Sequence, residues 1–409
     1  MAPFVVPADP AVPTDTLLGS GSTELLAAAV AAGGGELRGR PMARQTTYEP
    51  GRSLTVRYDA TIAWPDGRVA SEMLVAESSR HLPAGALVLD DGTARIAVWR
   101  VPADPRLTGL AAALDPDRLR HLFADLGAPV VQATPRLRAY RPGRRAVVEV
   151  IAPGARMFLK VVRPERAEAL HRRHQLVSAA APVPRSLGWA PELGIVALQA
   201  VGGQTVRRAL ETGRPAPSAG TLLALLDDLP DPAELAGPRR EASTARFAAL
   251  IVAVAPELGD RVGALAARLA EAETALEDEA LVPVHGDLHE AQILTDGGRV
   301  TGLLDVDTFG VGHRVDDLAT MIGHLSTLAL VSPRRKAIER YGASLLDAFD
   351  RTVDPVLLRH SIAAVVLGMA SGPFRVLEAG WRQATARRVL LAERWLASAN
   401  RVERQLATT

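Results

Sequence analysis

Apolar and polar residues alternate in several short runs over the first hundred residues. Within 53–63 (SLTVRYDATIA) and 68–77 (RVASEMLVAE), apolar side chains recur at nearly every second position, and a Trp-Pro-Asp-Gly turn separates the runs. A period of two is typical of a β-strand with one buried face. The pattern predicts a β-sheet extended by 95–100 (RIAVWR), with helical spacing before it at 21–33 and after it at 115–126.

The alternation returns in the next hundred residues. Strand-like runs lie at 135–141, 145–151 (RAVVEVI) and 156–162 (RMFLKVV). A helix is predicted over 164–180, with a proline at its first turn. The rest of the chain has mostly helical spacing, except at 282–312, where short apolar runs alternate with turns.

A weak internal repeat links the two strand-rich regions. YEPGRS at 48–53 and YRPGRR at 140–145 each precede a two-strand pattern. In the first region the segment EMLVAES stands where the second has a lysine. Two interpretations remain open: unrelated hairpins that begin with similar turns, or a duplicated small lobe whose first copy lost a catalytic charge and became a cap.

Composition narrows the class of protein. Hydrophobic residues make up 48% of the chain and charged residues 23%, as is ordinary for a soluble globular protein. The net charge of +1 gives no electrostatic argument for a nucleic-acid or membrane partner. The chain contains no cysteine, the N-terminus lacks the basic segment of a signal peptide, and the apolar run at 361–370 is too short to span a bilayer. These features predict a cytoplasmic protein.

Lysine is rare, which makes its positions informative. Only Lys160 and Lys336 occur among 47 Lys and Arg residues, so arginine supplies positive charge elsewhere. Lysine is a compact point charge, whereas arginine is a wide planar fork. Lys336 follows two arginines and fits an exposed helix start, but Lys160 lies in the apolar run RMFLKVV. A charge inside a buried strand indicates a functional role for Lys160.

Lys160 and two aspartates together have the residue types that phosphoryl transfer requires. That reaction needs a cation on the nucleotide phosphates, oxygen ligands for Mg²⁺, and a carboxylate that receives the proton of the attacking hydroxyl. Lys160 on a strand, Asp287 in a loop and Asp305 at a strand end supply these groups. The hairpin in HGDLHEAQILTDGGRVTGLLDVD should return Asp305 to the loop that holds Asp287 and Gln292.

From about residue 130 to 400 the chain resembles the aminoglycoside phosphotransferase-like superfamily of small-molecule kinases. The family's HGDxHxxN loop stands here as HGDLHEAQ at 285–292, and its metal motif as LLD at 303–305, GVGH at 310–313 and DLA at 317–319. Glutamine replaces the asparagine at Gln292, and histidine stands where many members have aspartate.

The resemblance implies an α+β chain with a bilobal protein-kinase-like fold. The expected kinase parts are a β-rich N-lobe at 128–203 and a helical C-lobe at 204–409 that holds the catalytic and metal-binding loops. An additional α/β cap domain is expected at 1–127, and it is a candidate degenerate copy of the small lobe. In having such an N-terminal extension, the chain resembles the maltokinase-like and glucosamine-kinase-like branch, whose members carry a cap.

The resemblance also implies roles for individual residues, with ATP and Mg²⁺ as cofactors. Asp287 would be the catalytic base, Lys160 would bind the phosphates, and Asp305 and Gln292 would hold Mg²⁺. A glutamate of the following helix, Glu168 or Glu165, would orient Lys160. Adenine would lie against the segment containing Leu198, Gln199 and Val201. For Arg144 and Arg145, in the turn where a phosphate loop would lie, two interpretations stay open: phosphate contact or a solvated turn.

The expected function is transfer of the ATP γ-phosphate to a hydroxyl of a small molecule: a sugar, an amino sugar or an aminoglycoside. From 319 to 409 there are 13 Lys and Arg against 7 Asp and Glu, which argues mildly against a pocket for polycations. The alternative is a nucleotide-binding pseudokinase without transfer activity. Asp307 is expected beside the site or in solvent, and Asp317 as a helix cap. Candidate acceptor contacts are Glu290, Asp316, Asp347, Asp350 and Glu378.

Overall fold

A computed structural model describes residues 6–90, 92, 94–232, 244–273 and 279–408. The first unit begins with two helices and continues into a five-stranded antiparallel sheet of order β1-β2-β3-β5-β4. The alternation of the sequence predicted β2, β3 and β5 but not β1. Their bounds are α1 (Thr14–Leu18), α2 (Gly21–Ala32), β1 (Glu36–Glu49), β2 (Ser53–Ala63), β3 (Val69–Ser79), β4 (Leu87–Asp90) and β5 (Arg95–Arg100).

The second unit repeats this arrangement. Two helices lead into another five-stranded antiparallel sheet, of order β6-β7-β8-β10-β9, with one long helix inserted between its third and fourth strands. The bounds are α3 (Leu110–Ala113), α4 (Pro116–Asp125), β6 (Thr134–Arg141), β7 (Arg145–Ala152), β8 (Ala155–Val162), α5 (Pro164–Ser178), β9 (Ser186–Ala190) and β10 (Ile195–Gln199).

The remainder is mainly helical, with two small sheets that carry the loops of the site. One small sheet has the order β11-β13-β14, and the other pairs β12 with β15. The bounds are β11 (Gln204–Thr205), α6 (Val206–Thr212), α7 (Ala219–Asp227), α8 (Thr244–Val254), α9 (Gly259–Glu273), β12 (Leu281–Val284), β13 (Ile293–Asp296), β14 (Arg299–Leu303), β15 (Gly310–His313), α10 (Arg314–Ala329), α11 (Arg335–Phe349), α12 (Pro355–Ala370), α13 (Gly372–Arg375) and α14 (Trp381–Leu406).

The first unit packs against both other parts of the chain. Val75 and Trp99 of its sheet share a buried cluster with Phe123 of α4 and Tyr140 of β6. Residues on the other face of this sheet pack into the large core that includes the C-terminal helices. At that contact the Tyr48 ring meets the edge of Phe374, with ring centroids 6.3 Å apart. The expected mixed α+β fold with a strand-rich N-terminal region and a helical C-terminal part is confirmed.

One stretch, Pro355–Arg375, is apolar and long enough to cross a membrane by length and composition alone. It extends beyond the run 361–370, which by itself is too short to span a bilayer. In the structure 56% of its most apolar 18 residues are buried inside the protein, and the core helix of a folded protein can have the same length and composition. The stretch is therefore weak evidence for a membrane span.

A buried ion pair joins the first unit to the second. Glu77 of β3 has only 7% of its side chain exposed, and both terminal nitrogens of Arg106 donate to it, at 2.7 and 2.8 Å. We expect Arg106→Met to lower the free energy of unfolding by about 3 kcal/mol, because the carboxylate stays buried without its partner. Chemical denaturation measures this loss.

The matched control for this prediction is Arg44→Met. It breaks the exposed Arg44–Asp59 pair, whose side chains are 45% and 37% exposed, and should cost less than about 1 kcal/mol. Equal losses of unfolding free energy in the two variants would show that the Glu77–Arg106 pair stabilises the protein no more than an exposed ion pair does.

Candidate active site

The loop 285–292 connects β12 to β13 and is anchored by a buried carboxylate. The Asp317 side chain accepts hydrogen bonds from the backbone N–H groups of His285, at 2.7 Å, and Gly286, at 2.8 Å. The His285 ring also bonds the Leu304 carbonyl at 2.8 Å. Gly286 has φ +78°, and a Cβ there would lie 2.7 Å from a backbone oxygen, so the turn requires glycine. These contacts fix the loop against α10 and the neighbouring hairpin.

The expectation that Asp317 caps a helix was wrong. Helix α10 begins at Arg314, and His313 holds the N-cap position without a side-chain cap. Burial raises the pKa of Asp317, although the nearby His285 and the two hydrogen bonds from the loop act in the opposite direction. The carboxylate lies in the first helical turn and accepts hydrogen bonds from the loop 285–292 instead of capping its own helix.

We expect Asp317→Ala to destabilise the protein by about 3 kcal/mol, because it leaves two buried N–H groups without acceptors. Thermal and chemical denaturation measure the change. The adjacent Asp316 is exposed, and Asp316→Ala should change stability by no more than about 0.5 kcal/mol. An unchanged stability of Asp317→Ala would show that water replaces the carboxylate in the loop.

Two carboxylates and two cations meet between the second sheet and the catalytic loop. Lys160 Nζ donates to Asp305 at 2.9 Å and also to Asp307. Arg145 donates to both oxygens of Asp305, at 3.2 and 3.0 Å, and to Asp307 at 3.1 Å. Asp305 has φ +58°, a left-handed conformation that costs energy for a non-glycine residue. The strain is consistent with a functional position.

The charges around Asp305 keep it ionised. Burial by itself would raise the pKa of Asp305, but Lys160 and Arg145 hold it well below its ordinary value. For Arg145, burial opposes the charge, while Asp305 and Asp307 raise the pKa of the guanidinium. Asp305 is therefore a carboxylate at neutral pH, in a position that already attracts two side-chain cations.

Gln292 lies beside Asp305, as the hairpin predicted. Its side-chain nitrogen is 3.4 Å from Asp305 Oδ2, and its backbone carbonyl accepts from Leu304 N at 2.7 Å. A carboxylate and an amide oxygen are the ligands that Mg²⁺ prefers. The Asp305 carboxylate and the attraction of this position for positive charge fit a divalent cation, and Gln292 would add an amide oxygen on turning its side-chain amide over.

Asp287 faces two histidines. The side-chain ligand atoms of Asp287, His289 and His324 all lie within 4.8 Å of one another. The two imidazole rings are stacked, with centroids 4.0 Å apart. Asp287 also contributes to the field that raises the pKa of Arg145, so its carboxylate lies within electrostatic range of the cation cluster. His324 reaches this position from α10, and no sequence motif had indicated it.

Glu290 lies beneath the histidines and does not face an acceptor. Its side chain has no exposed surface, and Arg207 donates to it at 2.8 and 2.6 Å. Its second oxygen is 3.7 Å from His289 and 3.8 Å from His324. Burial acts to raise the pKa of Glu290. The opposite effect of His289, His324 and Arg207 is larger, and the pKa is lowered to about 2. Glu290 is placed to support the loop.

The glutamates of α5 are not brought to Lys160. Glu168 is half-exposed and pairs with Arg172 at 2.5 Å, and Glu165 is exposed. Asp305 and Asp307 take the lysine instead. Near it lies the buried His174, whose pKa falls to about 3 because of burial and then the charge of Lys160. Its Nδ1 lies 2.9 Å from the Pro184 carbonyl, so His174 is a neutral packing residue.

The remaining nucleotide candidates lie where β10 leaves the second sheet. Leu198 is buried, Gln199 is exposed and Val201 is half-buried. Arg144 is exposed in the turn before β7, and its side chain is not among the groups that hold Asp305, whereas the next residue, Arg145, does so. The sequence could place an arginine at this turn but not say which one reaches the site.

The acidic candidates for acceptor binding divide into two groups. Asp316 and Glu378 are exposed. Asp347 and Asp350 are paired within the helical part, with Arg351 at 2.9 Å and Arg359 at 2.7 Å. Asp316 and Glu378 therefore have solvent-accessible side chains, whereas Asp347 and Asp350 are held in ion pairs.

Comparison with solved structures finds matches at low identity and with TM-scores below 0.5. A macrolide 2'-phosphotransferase, MphH from Brachybacterium faecium, is 21% identical with a TM-score of 0.41, over 67% of this chain and 97% of its own. A thermostable mutant of the aminoglycoside phosphotransferase APH(4)-Ia is 18% identical with a TM-score of 0.47, over 68% and 97%. The gentamicin complex of APH(2")-IIa is 12% identical with a TM-score of 0.46, over 68% and 96%.

The family assignment comes from the sequence and not from these likenesses. A comparison with curated proteins gave no match. A family model, described as the phosphotransferase enzyme family, matches residues 136–353. That range is more than half of the chain and contains Lys160, the catalytic loop and Asp305. The resemblance found in the motifs is thereby confirmed: the chain belongs to the phosphotransferase enzyme family and is an enzyme of that class.

Proposed function

We propose that this protein is an ATP- and Mg²⁺-dependent kinase that transfers the γ-phosphoryl group to a hydroxyl of a small molecule. The observation that carries the proposal is the contact of Asp305 with both Lys160 and Gln292. Asp287 lies within electrostatic range of the same cluster. Together these residues have the chemistry that phosphoryl transfer requires. Family membership supports the same reaction class.

Each residue has a chemical task in this proposal. The acceptor oxygen attacks the γ-phosphorus, the bond to the β–γ bridging oxygen breaks, and ADP leaves with those electrons. Asp287 accepts the hydroxyl proton, and Lys160 binds the phosphate oxygens. Asp305 and Gln292 would hold Mg²⁺, which supplies neutralising charge to the phosphates when bound. Lys160 and Arg145 pair with Asp305 in this structure, so both cations are within reach of phosphates bound there.

We propose a sugar, an amino sugar or an aminoglycoside as the acceptor. The structures compared above include a macrolide phosphotransferase and a gentamicin complex. For this chain, the burial of Glu290 removes one acid from the candidates for binding a polycation. The exposed Asp316 and Glu378 are the remaining acidic candidates.

The test is ADP release with Mg·ATP and separate pools of neutral sugars, amino sugars, aminoglycosides, choline-like amines and nucleosides. Asp287→Asn serves as the blank. We expect one pool to stimulate ADP release in the wild type only. Binding of Mg·ATP with no stimulation by any pool would support the alternative, a nucleotide-binding pseudokinase.

A further inference from the structure

A four-residue motif, PADP, occurs at 7–10 and again at 102–105. Its aspartate makes the same contacts in both places. Asp9 Oδ2 accepts from the Tyr48 hydroxyl and from Gly51 N, each at 2.7 Å. Asp104 Oδ2 accepts from the Tyr140 hydroxyl and from Gly143 N, each also at 2.7 Å. Each tyrosine and glycine belongs to one copy of the Tyr-x-Pro-Gly-Arg repeat.

The likeness extends to the second oxygen and to the sheets. Asp9 Oδ1 accepts from Ala11 N at 2.9 Å, and Asp104 Oδ1 accepts from Arg106 N at 2.9 Å. In both units a pair of helices follows, and then five strands pair in the same order. We infer that 7–100 and 102–199 are two copies of one structural unit, the second of which carries Lys160.

The register of the sheets identifies what replaced the lysine. Tyr48 pairs with Leu54 as Tyr140 pairs with Ala146, so Thr55 of β2 corresponds to Val147 of β7. Thr55 faces Glu77, and Val147 faces Lys160. In the first copy, Glu77 therefore stands at the position that Lys160 has in the second copy. Arg106 forms a bidentate ion pair with this glutamate. The first copy keeps the aspartate contacts but has lost the cation that a phosphate site needs.

In the second copy the aspartate contacts lie next to the candidate active site. The turn at 142–144 leads directly into Arg145, whose guanidinium holds Asp305 at 3.0 Å. Besides the bond from Gly143 N to Asp104, the Gly143 carbonyl accepts from Arg163 Nε at 3.0 Å. The turn is thus held from two sides, just before the residue that reaches the cation cluster.

The first copy also supports this turn. Trp99, on β5 of the first sheet, donates from its ring nitrogen to the Tyr140 hydroxyl at 3.1 Å. Tyr140 in turn donates to Asp104. Trp99, Tyr140 and Asp104 have relative exposures of 5%, 5% and 3%, so water does not compete for these bonds. A continuous hydrogen-bonded chain therefore runs from the N-terminal unit to the turn.

We propose that Asp104 is a positioning residue for nucleotide binding: it holds the turn at 142–144 so that Arg145 and the turn backbone meet the phosphates. This inference rests on the proposed kinase function. Asp9 makes the same hydrogen bonds in a copy without a lysine, so its contacts serve the fold of the first unit alone.

The repeat supplies a matched pair of variants, Asp104→Asn and Asp9→Asn. Each replaces an oxygen that accepts two hydrogen bonds by an amide that cannot satisfy the same donors. We expect Asp104→Asn to raise KM for Mg·ATP, and Kd for a non-hydrolysable Mg·ATP analogue, by about tenfold, with a smaller change in kcat. Asp9→Asn should leave both constants within about twofold of the wild type, because the turn that Asp9 holds does not lead into a residue that bonds Asp305, as the turn at 142–144 does.

Both variants are measured at a temperature at which circular dichroism shows them folded. If Asp104→Asn does not fold, Tyr140→Phe and Tyr48→Phe form the second matched pair, with the same expectation for the first of them. Equal nucleotide affinity in both members of a pair, or an equal loss in both, would overturn the inference. A wild type that does not bind the Mg·ATP analogue would instead refute the proposed function and the inference with it.

Discussion

Asp287→Asn is expected to lower kcat by about 1,000-fold while Mg·ATP affinity stays near that of the wild type. A general base contributes about 100- to 10,000-fold, and asparagine keeps the shape of aspartate but cannot accept the proton. Asp287 is held in a loop whose backbone Asp317 fixes, so the substitution should not change the loop's position. Steady-state kinetics and calorimetric titration with Mg·ATP measure the two quantities separately.

The control is Asp296→Asn, at the exposed end of β13 in the hairpin that follows the same loop. It removes a carboxylate of the same type from the same hairpin and should leave kcat unchanged. A wild-type rate in Asp287→Asn would show that another group accepts the proton, and the stacked His289 and His324 would become the candidates.

Lys160→Arg is expected to lower kcat/KM by about 100-fold although the charge is kept. The lysine side chain is only 11% exposed and bonds two carboxylates through one nitrogen. A planar guanidinium needs more width and directs its donors in a fixed fork, so it cannot place one point charge between them. Kinetics of the purified variant measure the loss.

Lys336→Arg is the matched control, since Lys336 is the other lysine of the chain and is exposed on α11. It should behave as the wild type. If Lys160→Arg also retained full activity, Lys160 would not bind the phosphates, and Arg145 would become the residue assigned to them.

Local patterns carried most of the fold and part of the site. Period-two alternation found strands such as β2 and β7, because each has one face against a core, but it did not reveal β1. The hairpin β13–β14 is a local structure, so the sequence alone could place Asp305 beside Gln292. The weak repeat at Tyr48 and Tyr140 likewise marked two real hairpins in equivalent registers.

Contacts between distant segments could not be predicted in the same way. Arg145 and Asp305 are 160 positions apart, and which of two adjacent arginines points inward depends on strand register. The expected Glu168 partner failed to appear because the glutamate is on the solvent side of α5, paired with Arg172. Glu290 was expected to contact an acceptor, but its side chain is buried and forms an ion pair with Arg207 of α6.

The PADP repeat is visible in the sequence, but the match alone does not predict a structural similarity. Four matching residues separated by almost a hundred positions arise easily by chance in a proline-rich and alanine-rich chain. The hydrogen bonds of Asp9 and Asp104 give the match its significance, because the same donors meet both carboxylates.

The most direct measurement is transfer of a radiolabelled γ-phosphoryl group from Mg·ATP to pooled small molecules, by the wild type and by Asp287→Asn in parallel. Unlike ADP release, it separates transfer from hydrolysis. We expect label in the acceptor fraction of one pool with the wild type and none with the variant. Label that appears only as inorganic phosphate in every pool, or equal transfer by both proteins, would contradict a kinase site built on Lys160, Asp287 and Asp305.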